Sequence, residues 1–439
     1  MSGPDLRARD ADQYPADWPA DLSLEGISLT DPAALASPNV YYRALREQAP
    51  VFYDETFGVH VVSRYEDIQA ILQDAVTYSQ ERGWNQQFAR GHLEEFKSIL
   101  IRHGGGWFPE VLLLDPPRHT RIRKLLEKAL AARRVKDMEP RIRALIVERI
   151  ESFADRGEAD GVADFAVPLT VKVICEQLGF PRGEESQEIA VWARAYAGMV
   201  HGQKTREEML ESAALVCKLQ KFIIARVEER QAAPQEDMIS GLIYARLEED
   251  EDAQLSFDET VALTRGLFNA GNDTTARSLS NILFIIATRP DIAGQLQEVV
   301  HDDVRLGRFI EEILRIYPPV RGLFRNTTQD VEIAGKRVPA GANIMLLYAS
   351  GNDDPGVFPC PRQFDPTRNN VARHLSFGGG IHHCAGISLA RMELRNAVRE
   401  LMTRLKDIEL AVPQSEIRFA PFPTIQSIER LPIRFKRRQ

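Results

Sequence analysis

The feature that most constrains the fold is one long helical segment in the second half of the chain. Ser256 and Glu259 have the spacing of a capping box, and Leu255 stands where a hydrophobic staple residue belongs. No proline interrupts the segment before Pro290, so the helix is predicted to end near Arg289. A helix of about 33 residues is about 50 Å long, which is enough to cross a domain of this size. We therefore predict a central helix around which the rest of the chain packs.

The segments around this helix differ in their periodicity. Helical periodicity dominates from about Pro117 to Pro290, whereas short β-like runs occur near the N-terminus and again beyond Pro319. No Pro-, Gly- or Ser-rich linker and no internal repeat divides the chain. The prediction is a mainly α fold with small β regions, organised as a polar N-terminal leader, residues 1–38, and one large domain, residues 39–439.

Composition narrows the class of protein. The formal net charge of −8 argues against a nucleic-acid binder, because such proteins usually carry a basic excess. The N-terminal segment contains acids and prolines without an apolar core, so no secretory signal or membrane anchor is predicted and the chain is expected to be cytoplasmic. The four cysteines form no C-x-x-C pair, which speaks against a disulfide framework or a structural zinc site.

One cysteine stands at the end of a glycine-rich loop and at the start of a predicted helix. The run is FGGGIHHCAG, from Phe377 to Gly386, and the cysteine is Cys384. Free backbone N–H groups and the helix dipole at such a position lower a cysteine pKa, which suits a metal ligand or a nucleophile. His382 and His383 would supply the base for a nucleophile. From the loop alone, a metal ligand, a nucleophile and an ordinary helix start are equally open.

The long helix contains a second unusual run, AGNDTT, from Ala270 to Thr275. A glycine within a helix costs roughly 1 kcal/mol relative to alanine, and Asp and Thr are poor helix formers. The run places an acid, Asp273, beside an alcohol, Thr274, within about one and a half turns. A function for this run is therefore favoured over a tolerated glycine.

The cysteine loop resembles the F-x-x-G-x-[HR]-x-C-x-G signature of the cytochrome P450 superfamily. The matching positions are Phe377, Gly380, His382, Cys384 and Gly386. The resemblance implies that heme b is the cofactor, that Cys384 is its axial thiolate ligand, and that Phe377 packs beside this cysteine. A thiolate ligand pushes electron density toward the iron and favours O–O cleavage, which accounts for the residue type.

The run in the long helix is similar to the [AG]-G-x-[DE]-T motif of the same family. In the family this part of the helix opens slightly over the heme to admit dioxygen and water. The resemblance implies that Thr274 hydrogen-bonds to the oxygen being activated and that Asp273 relays protons toward it.

Further motifs follow in the order that the family has them, from about residue 40 to the C-terminus. The resemblance implies four partners for the heme propionates: His119, Arg123, Arg325 and His382. It also implies a structural triad on the proximal side of the heme: Glu312, Arg315 and Arg368. One departure is Asn352-Asp353-Asp354, where the family usually has N-R-D. Asp353 makes this stretch more acidic without affecting heme ligation.

The substrate pocket is expected to be lined by one apolar face of the long helix and by the strand after the E-x-x-R helix. The predicted lining residues are Leu267, Ala270, Gly271, Val320 and Leu323. For five further residues the sequence does not decide whether they line the pocket or instead pack elsewhere or face solvent. They are Trp84, Trp107, Phe108, Arg321 and Phe422.

The resemblance implies a heme-thiolate monooxygenase that inserts one atom of dioxygen into a small, largely apolar substrate such as a terpenoid, a steroid or an aromatic compound. A separate iron-sulfur ferredoxin with its reductase is expected to supply electrons, steered by a basic cluster from Arg118 to Lys136, and the protein is expected to be a monomer. Two alternatives are a peroxide-driven peroxygenase, which would not need Asp273 and Thr274, and a heme-thiolate sensor without turnover.

Overall fold

The computed structural model describes residues 23–36, 38–88, 91–130, 132–181, 184–201, 205–247 and 254–438. The chain divides into two compact units, each made of segments that are far apart in sequence. The first unit is drawn from Met1–Gly83, Arg308–His383 and Ala420–Gln426. The second unit is drawn from Trp84–Gly307, Cys384–Phe419 and Ser427–Gln439. Neither unit is a continuous half of the chain.

Helices account for most of the described residues. In chain order they are α1 (Pro32–Ala36), α2 (Pro38–Gln48), α3 (Tyr65–Gln73), α4 (Gln80–Gln87), α5 (Leu93–His103), α6 (Arg118–Ala129), α7 (Ala132–Ala154), α8 (Val167–Leu178), α9 (Glu184–His201), α10 (Arg206–Ala232), α11 (Met238–Ile243), α12 (Phe257–Thr288), α13 (Pro290–Val299), α14 (Asp303–Ile316), α15 (Tyr348–Gly351) and α16 (Ile387–Arg404). The strands are β1 (Val51–Asp54), β2 (Val59–Val62), β3 (Tyr78–Ser79), β4 (Glu158–Asp160), β5 (Leu323–Thr327), β6 (Val331–Ile333), β7 (Lys336–Val338), β8 (Asn343–Leu346), β9 (Leu405–Leu410) and β10 (Pro432–Arg437). The predicted class, mainly α with small β regions, is confirmed.

The long helix α12 begins and ends where the sequence predicts. The Ser256 side chain accepts a hydrogen bond from the Glu259 backbone N–H at 3.1 Å, and the Glu259 carboxylate accepts one from the Ser256 N–H at 3.0 Å. Pro290 starts α13 directly after the C-cap Arg289. Within the second unit α12 packs against α8, α9, α10, α11, α13 and α16. No helix among the described residues has both the length and the apolar character needed to cross a membrane.

The interior of the second unit is one large apolar cluster. It is built from α6, α8, α9, α10, α11 and α12, together with the segment between α5 and α6. Leu267 of α12 and Ala385, which follows Cys384, are half-buried residues that pack against this cluster. A small antiparallel sheet, in the order β4-β10-β9, belongs to the same unit.

The first unit contains a five-stranded sheet in the order β1-β2-β8-β5-β3. The pair β2 and β8 is parallel, and the other neighbours are antiparallel. Strand β8 is buried along its whole length, as a central strand covered on both faces should be. The predicted β runs near the N-terminus and beyond Pro319 are therefore present.

The predicted polar leader, residues 1–38, lies partly outside the described residues. In its described part, Leu24, Leu29 and Ala34 are buried. They join Tyr41 and Leu45 of α2 in one apolar cluster of the first unit. The packed part of the chain therefore begins before residue 39.

Candidate active site

Cys384 lies two residues before Gly386, which is the N-cap of α16. Burial raises the pKa of the Cys384 thiol, while a hydrogen bond from the Gly386 backbone N–H and the positive charges of Arg123 and Arg391 act in the opposite direction. The Gly386 N–H therefore acts in the direction that the sequence predicts, but desolvation of the thiolate outweighs it in the thiol alone. Coordination of a metal ion reverses the balance, since a coordinating thiol is deprotonated.

The glycine-rich loop before Cys384 is shaped by close backbone contacts in the first unit. Gly378 and Gly380 have φ values of 68° and 62°, which favour glycine. A Cβ on Gly380 would lie 1.9 Å from the carbonyl oxygen of Leu72 in α3, so no side chain fits there. Phe377 lies in a short turn, with its ring centroid 5.7 Å from that of His374. Gly380 is thus explained by the approach of α3.

The middle of α12 has a half-exposed stripe along one of its faces. Leu267, Gly271 and Thr274 are half-buried and Ala270 is exposed. The Thr274 hydroxyl donates to the carbonyl oxygen of Ala270 at 2.7 Å. The stripe follows the i, i+3, i+4, i+7 spacing of one helix face. It therefore offers small and apolar groups with a single hydroxyl among them.

Asp273 points in a different direction from Thr274, because successive helical residues are about 100° apart. Its carboxylate accepts hydrogen bonds from Arg277 Nε and Nη2, both at 2.8 Å. Asp273, Arg277 and Arg194 line a cavity of about 890 Å³ within the second unit. Burial lowers the pKa of Arg194, and the charge of Asp273 counteracts this. The acid is therefore held by arginine at a cavity wall.

Two other residues of the AGNDTT run pack against α8. A Cβ on Gly271 would lie 3.2 Å from Ile174 Cδ1, so the glycine allows a close approach of the two helices. The buried Asn272 accepts a hydrogen bond from the Thr170 hydroxyl at 2.9 Å. Gly271 was predicted as a pocket residue, and its missing side chain is explained by this packing.

Of the predicted propionate partners, His119 and Arg123 share one face of α6. His119 is buried, and its pKa is lowered by burial and by the charge of Arg123. Arg123 Nε pairs with Glu127 at 2.7 Å. The charge of Arg123 also lowers the pKa of Cys384, so this arginine is close enough to the thiol to influence it.

The other two predicted propionate partners belong to the first unit. Arg325 is buried in β5, where its Nη1 donates to the carbonyl oxygen of Phe324 at 2.8 Å. Burial raises the pKa of Tyr348, and Arg325 counteracts this through its charge and a hydrogen bond. His382 is half-buried at the end of the turn Gly380–His382.

The structure brings Glu312, Arg315 and Arg368 together in the first unit. The Glu312 side chain is fully buried and accepts hydrogen bonds from Arg315 Nε at 2.8 Å, from Arg315 Nη2 at 2.9 Å and from Arg368 Nε at 3.1 Å. Arg315 Nη1 also donates to the carbonyl oxygen of Asn352 at 2.8 Å. Removal of one partner from such a buried network costs on the order of 3–5 kcal/mol, because it leaves an uncompensated charge.

The acidic departure at Asp353 is accommodated by a nearby arginine. Asp353 is buried, and one of its carboxylate oxygens lies 3.5 Å from Arg362 Nη1. The next residue, Asp354, accepts a hydrogen bond from the Tyr65 backbone N–H at the start of α3, at 3.0 Å. The segment Asn352-Asp353-Asp354 is therefore held at each of its residues.

The remaining two predicted pocket residues lie on either side of Arg321 in the sequence. Val320 and Leu323 are half-buried in the first unit, and Val320 forms a β-bridge with Ile425. Arg321, between them, is buried, and its backbone N–H donates to the Thr424 carbonyl oxygen at 2.8 Å.

Two of the four aromatic residues left unassigned by the sequence pack against other rings. Trp84 is stacked on Phe88 with ring centroids 5.8 Å apart, and Trp107 makes an edge contact with Phe96 at 6.3 Å. Phe108 is buried. Phe422, in the first unit, is half-buried.

Comparison with known proteins decides among the three roles that the cysteine loop leaves open. A family model described as Cytochrome P450 matches residues 201–418. The 6-deoxyerythronolide B hydroxylase of Saccharopolyspora erythraea is 32% identical over 407 residues, which is 90% of this chain and 95% of the relative. The chain belongs to the cytochrome P450 family.

Solved P450 structures agree with this assignment over 94% of the chain. Cytochrome P450 CYP109Q5 from Chondromyces apiculatus has a TM-score of 0.81 and 30% identity, covering 94% of this chain and 98% of that one. Cytochrome P450 CREJ in complex with (4-ethylphenyl) dihydrogen phosphate has a TM-score of 0.84 and 27% identity, covering 94% and 99%. The chain is a monooxygenase of this family, with heme b bound through the thiolate of Cys384.

The residues around Cys384 fit a thiolate-ligated heme. The sulfur receives a hydrogen bond from the Gly386 N–H and lies within the influence of two cations, Arg123 and Arg391. Both effects favour the thiolate. Arg391 was not identified from the sequence, although its position seven residues after Cys384 on α16 is the signal that would have found it.

Proposed function

We propose that this P450 hydroxylates, or oxidises in a related way, a small and largely apolar substrate such as a terpenoid, a steroid or an aromatic compound. The observation that carries the proposal is the half-exposed stripe of α12, where Leu267, Ala270 and Gly271 present no charge. Val320 and Leu323 are proposed to add apolar groups from the first unit. A related P450 holds (4-ethylphenyl) dihydrogen phosphate, and the aromatic ring of this ligand, apart from its charged phosphate, supports the aromatic class.

The chain's own residues are assigned as follows. Bound heme supplies the iron at which dioxygen is activated. Thr274 presents the single hydroxyl of the stripe, and by turning from the Ala270 carbonyl it would deliver a proton at Oγ1. Asp273 takes up protons from the solvent of its cavity, while Arg277 and Arg194 hold its carboxylate at the cavity wall. Transfer requires Asp273 to leave Arg277 and turn toward Thr274.

We also propose the heme contacts that the resemblance implies. His119, Arg123, Arg325 and His382 would bind the propionates, since cationic or hydrogen-bonding groups must meet these two carboxylates. Phe377 would pack beside the Cys384 sulfur. The triad of Glu312, Arg315 and Arg368 would support this region structurally without taking part in the reaction.

An iron-sulfur ferredoxin with its reductase is the proposed electron source. Lys124 and Lys128 on α6 and Lys136 on α7 are exposed. Arg123, on the same helix, is close enough to influence Cys384. An acidic carrier attracted to these lysines would therefore dock on an element adjoining the cysteine.

Spectroscopy of the heme-loaded protein tests the assignment. The ferrous carbon-monoxide complex is expected to show the red-shifted Soret band of a thiolate-ligated heme, and Cys384→Ser is expected to abolish it. Cys360→Ser, at an exposed cysteine, is the matched control and should leave the band unchanged. A band typical of histidine ligation in the wild-type protein would overturn the ligand assignment.

The substrate class is tested separately, by titration of the ferric protein with terpenoids, steroids and simple aromatics. Displacement of water from the iron should shift the Soret band for apolar members of the panel. A shift produced only by charged or strongly polar molecules would refute the proposed class while leaving the ligand assignment intact.

A further inference from the structure

Arg265, in the first half of α12, is fully buried, and among the described residues no carboxylate forms an ion pair with it. Its Nη1 donates to Gln220 Oε1 at 3.1 Å, and its Nη2 donates to the carbonyl oxygen of Phe108 at 2.6 Å. The guanidinium lies over the ring of Tyr196, 4.6 Å from the centroid. A buried cation without a direct counter-ion is unfavourable for stability, and an apolar residue would cost less. Arg265 therefore calls for an explanation other than stability.

Gln220 of α10 extends the contacts of Arg265 to the segment after α5. The Gln220 amide is fully buried, and its Nε2 donates to the carbonyl oxygens of Gly104 at 2.9 Å and of Gly106 at 2.7 Å. The positive charge of Arg265 fixes the orientation of the Gln220 amide. The amide oxygen accepts a hydrogen bond from Arg265, so the NH₂ group faces the carbonyl oxygens of Gly104 and Gly106. Together the two side chains bind the carbonyl groups of residues 104, 106 and 108.

Tyr196 of α9 holds the far end of the same segment. Its hydroxyl donates to Glu110 Oε2 at 3.2 Å, and Glu110 Oε1 accepts a hydrogen bond from the Leu112 backbone N–H at 3.2 Å. Gly266 makes room for this arrangement, because a Cβ there would lie 2.7 Å from Glu110 Oε1. Tyr196 therefore contacts both charged groups: its hydroxyl binds the Glu110 carboxylate, and its ring lies under the Arg265 guanidinium.

The segment Gly104–Leu112 and the stripe of α12 both pack against the large apolar cluster of the second unit. The segment therefore forms one wall of this interior. Phe108 and Leu112 belong to one cluster with Leu267 of the stripe and with Ala385, the neighbour of Cys384. Polar side chains from α9, α10 and α12 hold this wall through its backbone and through Glu110.

We propose that Arg265, Gln220 and Tyr196 form a latch that keeps Gly104–Leu112 closed against α12, and that release of this latch admits bulky molecules to the active site. The inference rests on the proposed function, in which the stripe of α12 receives the substrate. The latch selects by size: small molecules enter with the segment closed, and bulky ones enter when it opens.

Hydrogen–deuterium exchange of the heme-loaded protein tests the latch directly. The backbone N–H groups of Gly104 and Gly106 donate to the Leu100 carbonyl oxygen at 2.7 and 3.2 Å, so their exchange reports opening of the segment. Arg265→Met is expected to speed this exchange by about tenfold or more, because hydrogen bonds from a charged group are lost. Tyr196→Phe, which removes only a hydroxyl, should give a smaller change in the same direction.

Azole binding to the ferric heme tests the consequence for entry. In Arg265→Met and Tyr196→Phe the association rate of 4-phenylimidazole should rise severalfold, while that of imidazole should stay unchanged. Tyr244→Phe is the matched control, since its hydroxyl bonds to the Gln231 carbonyl oxygen outside the latch. Unchanged exchange in both latch variants, or equal changes for the two azoles, would overturn the proposal. The carbon-monoxide spectrum of each variant separates these outcomes from a failure of the heme assignment.

Discussion

Thr274 and Asp273 are neighbours in sequence with separate surroundings in the structure. The Thr274 hydroxyl belongs to the half-exposed stripe of α12, whereas the Asp273 carboxylate is engaged by Arg277 at a cavity wall. In the proposed relay the two residues therefore have different tasks. Asp273 exchanges protons with solvent, and Thr274 alone presents a hydroxyl on the face proposed to receive dioxygen and substrate.

Thr274→Ala is expected to uncouple electron use from product formation. Loss of the hydroxyl removes the last proton donor, so reduced oxygen should leave as hydrogen peroxide while NAD(P)H oxidation through the redox partners continues. The product formed per electron pair should fall about tenfold or more, within the range of general acid contributions. Product and peroxide are quantified in the same turnover assay.

Thr288→Ala is the matched control for this prediction. Its hydroxyl donates to the carbonyl oxygen four residues earlier at 2.7 Å, as that of Thr274 does, but it lies in the last turn of α12. Coupling should be unchanged there, and Thr274→Ser should restore it. Tight coupling in Thr274→Ala would remove Thr274 from the relay.

At the scale of single elements, α12 was predictable from local signals and the latch was not. The capping box at Ser256 and the proline at Pro290 act within a few residues of each helix end. Arg265, by contrast, is a buried residue whose partners come from Gln220 and from a loop around Phe108. Sequence periodicity places Arg265 on a helix but carries no information about which distant carbonyl groups meet it.

The C-terminal β region was predictable only in part for a similar reason. The sequence indicates β structure from Pro423 onward, but a regular strand forms only at Pro432–Arg437. Earlier in this stretch Ile425 and Ile428 make isolated bridges to Val320 and Phe419. A β-like composition gives no partner by itself, and strand formation depends on a neighbour of matching length.

Helix α16 carries an acid that its packing should keep uncharged. Glu393 is buried, and burial raises its pKa from 4.5 to about 8. The helix packs against α7 and α12, so this side chain has exchanged water for a largely apolar interior. At neutral pH the carboxyl group is therefore mostly protonated in the folded protein.

The raised pKa of Glu393 predicts a progressive loss of stability as pH rises from about 4.5 to about 8. Its protonation stabilises the folded state fully below the ordinary glutamate pKa, and this contribution is lost as pH rises through about 8. Between the two pKa values the unfolding constant of the wild-type protein should rise by up to about tenfold per pH unit relative to that of Glu393→Gln. Denaturant titrations from mildly acidic to alkaline pH measure the difference. Glu228→Gln, at an exposed position of α10, is the control for the removal of one carboxyl group, and parallel curves for wild type and Glu393→Gln would contradict the prediction.

At the scale of the whole molecule, a net charge of −8 coexists with a locally basic helix. Composition alone does not reveal which of its basic residues are available to a partner. Arg118 and Arg121 both pair with Glu259, at 3.3 and 2.5 Å, so the structure uses them to fasten α6 to the start of α12. Lys124 and Lys136 are exposed, whereas the exposed Arg118 and the half-buried Arg121 both share their charge with Glu259. The sequence identified the cluster, and the pairing with Glu259 separates the arginines that fasten α6 to α12 from the external members, Lys124 and Lys136.

Reduction of the heme by an acidic ferredoxin is expected to depend on the external members. Lys124→Glu should lower the second-order rate of electron transfer severalfold at low ionic strength, because the charge reversal weakens electrostatic steering. The difference from wild type should shrink as salt is added and the Debye length falls from about 30 Å at 0.01 M to about 3 Å at 1 M. Lys406→Glu, at an exposed lysine of β9, makes the same change in net charge and should have little effect. Stopped-flow reduction at several salt concentrations distinguishes the two. Equal slowing by both variants would mean that the ferredoxin responds only to the net charge of the protein. That result would contradict docking on α6.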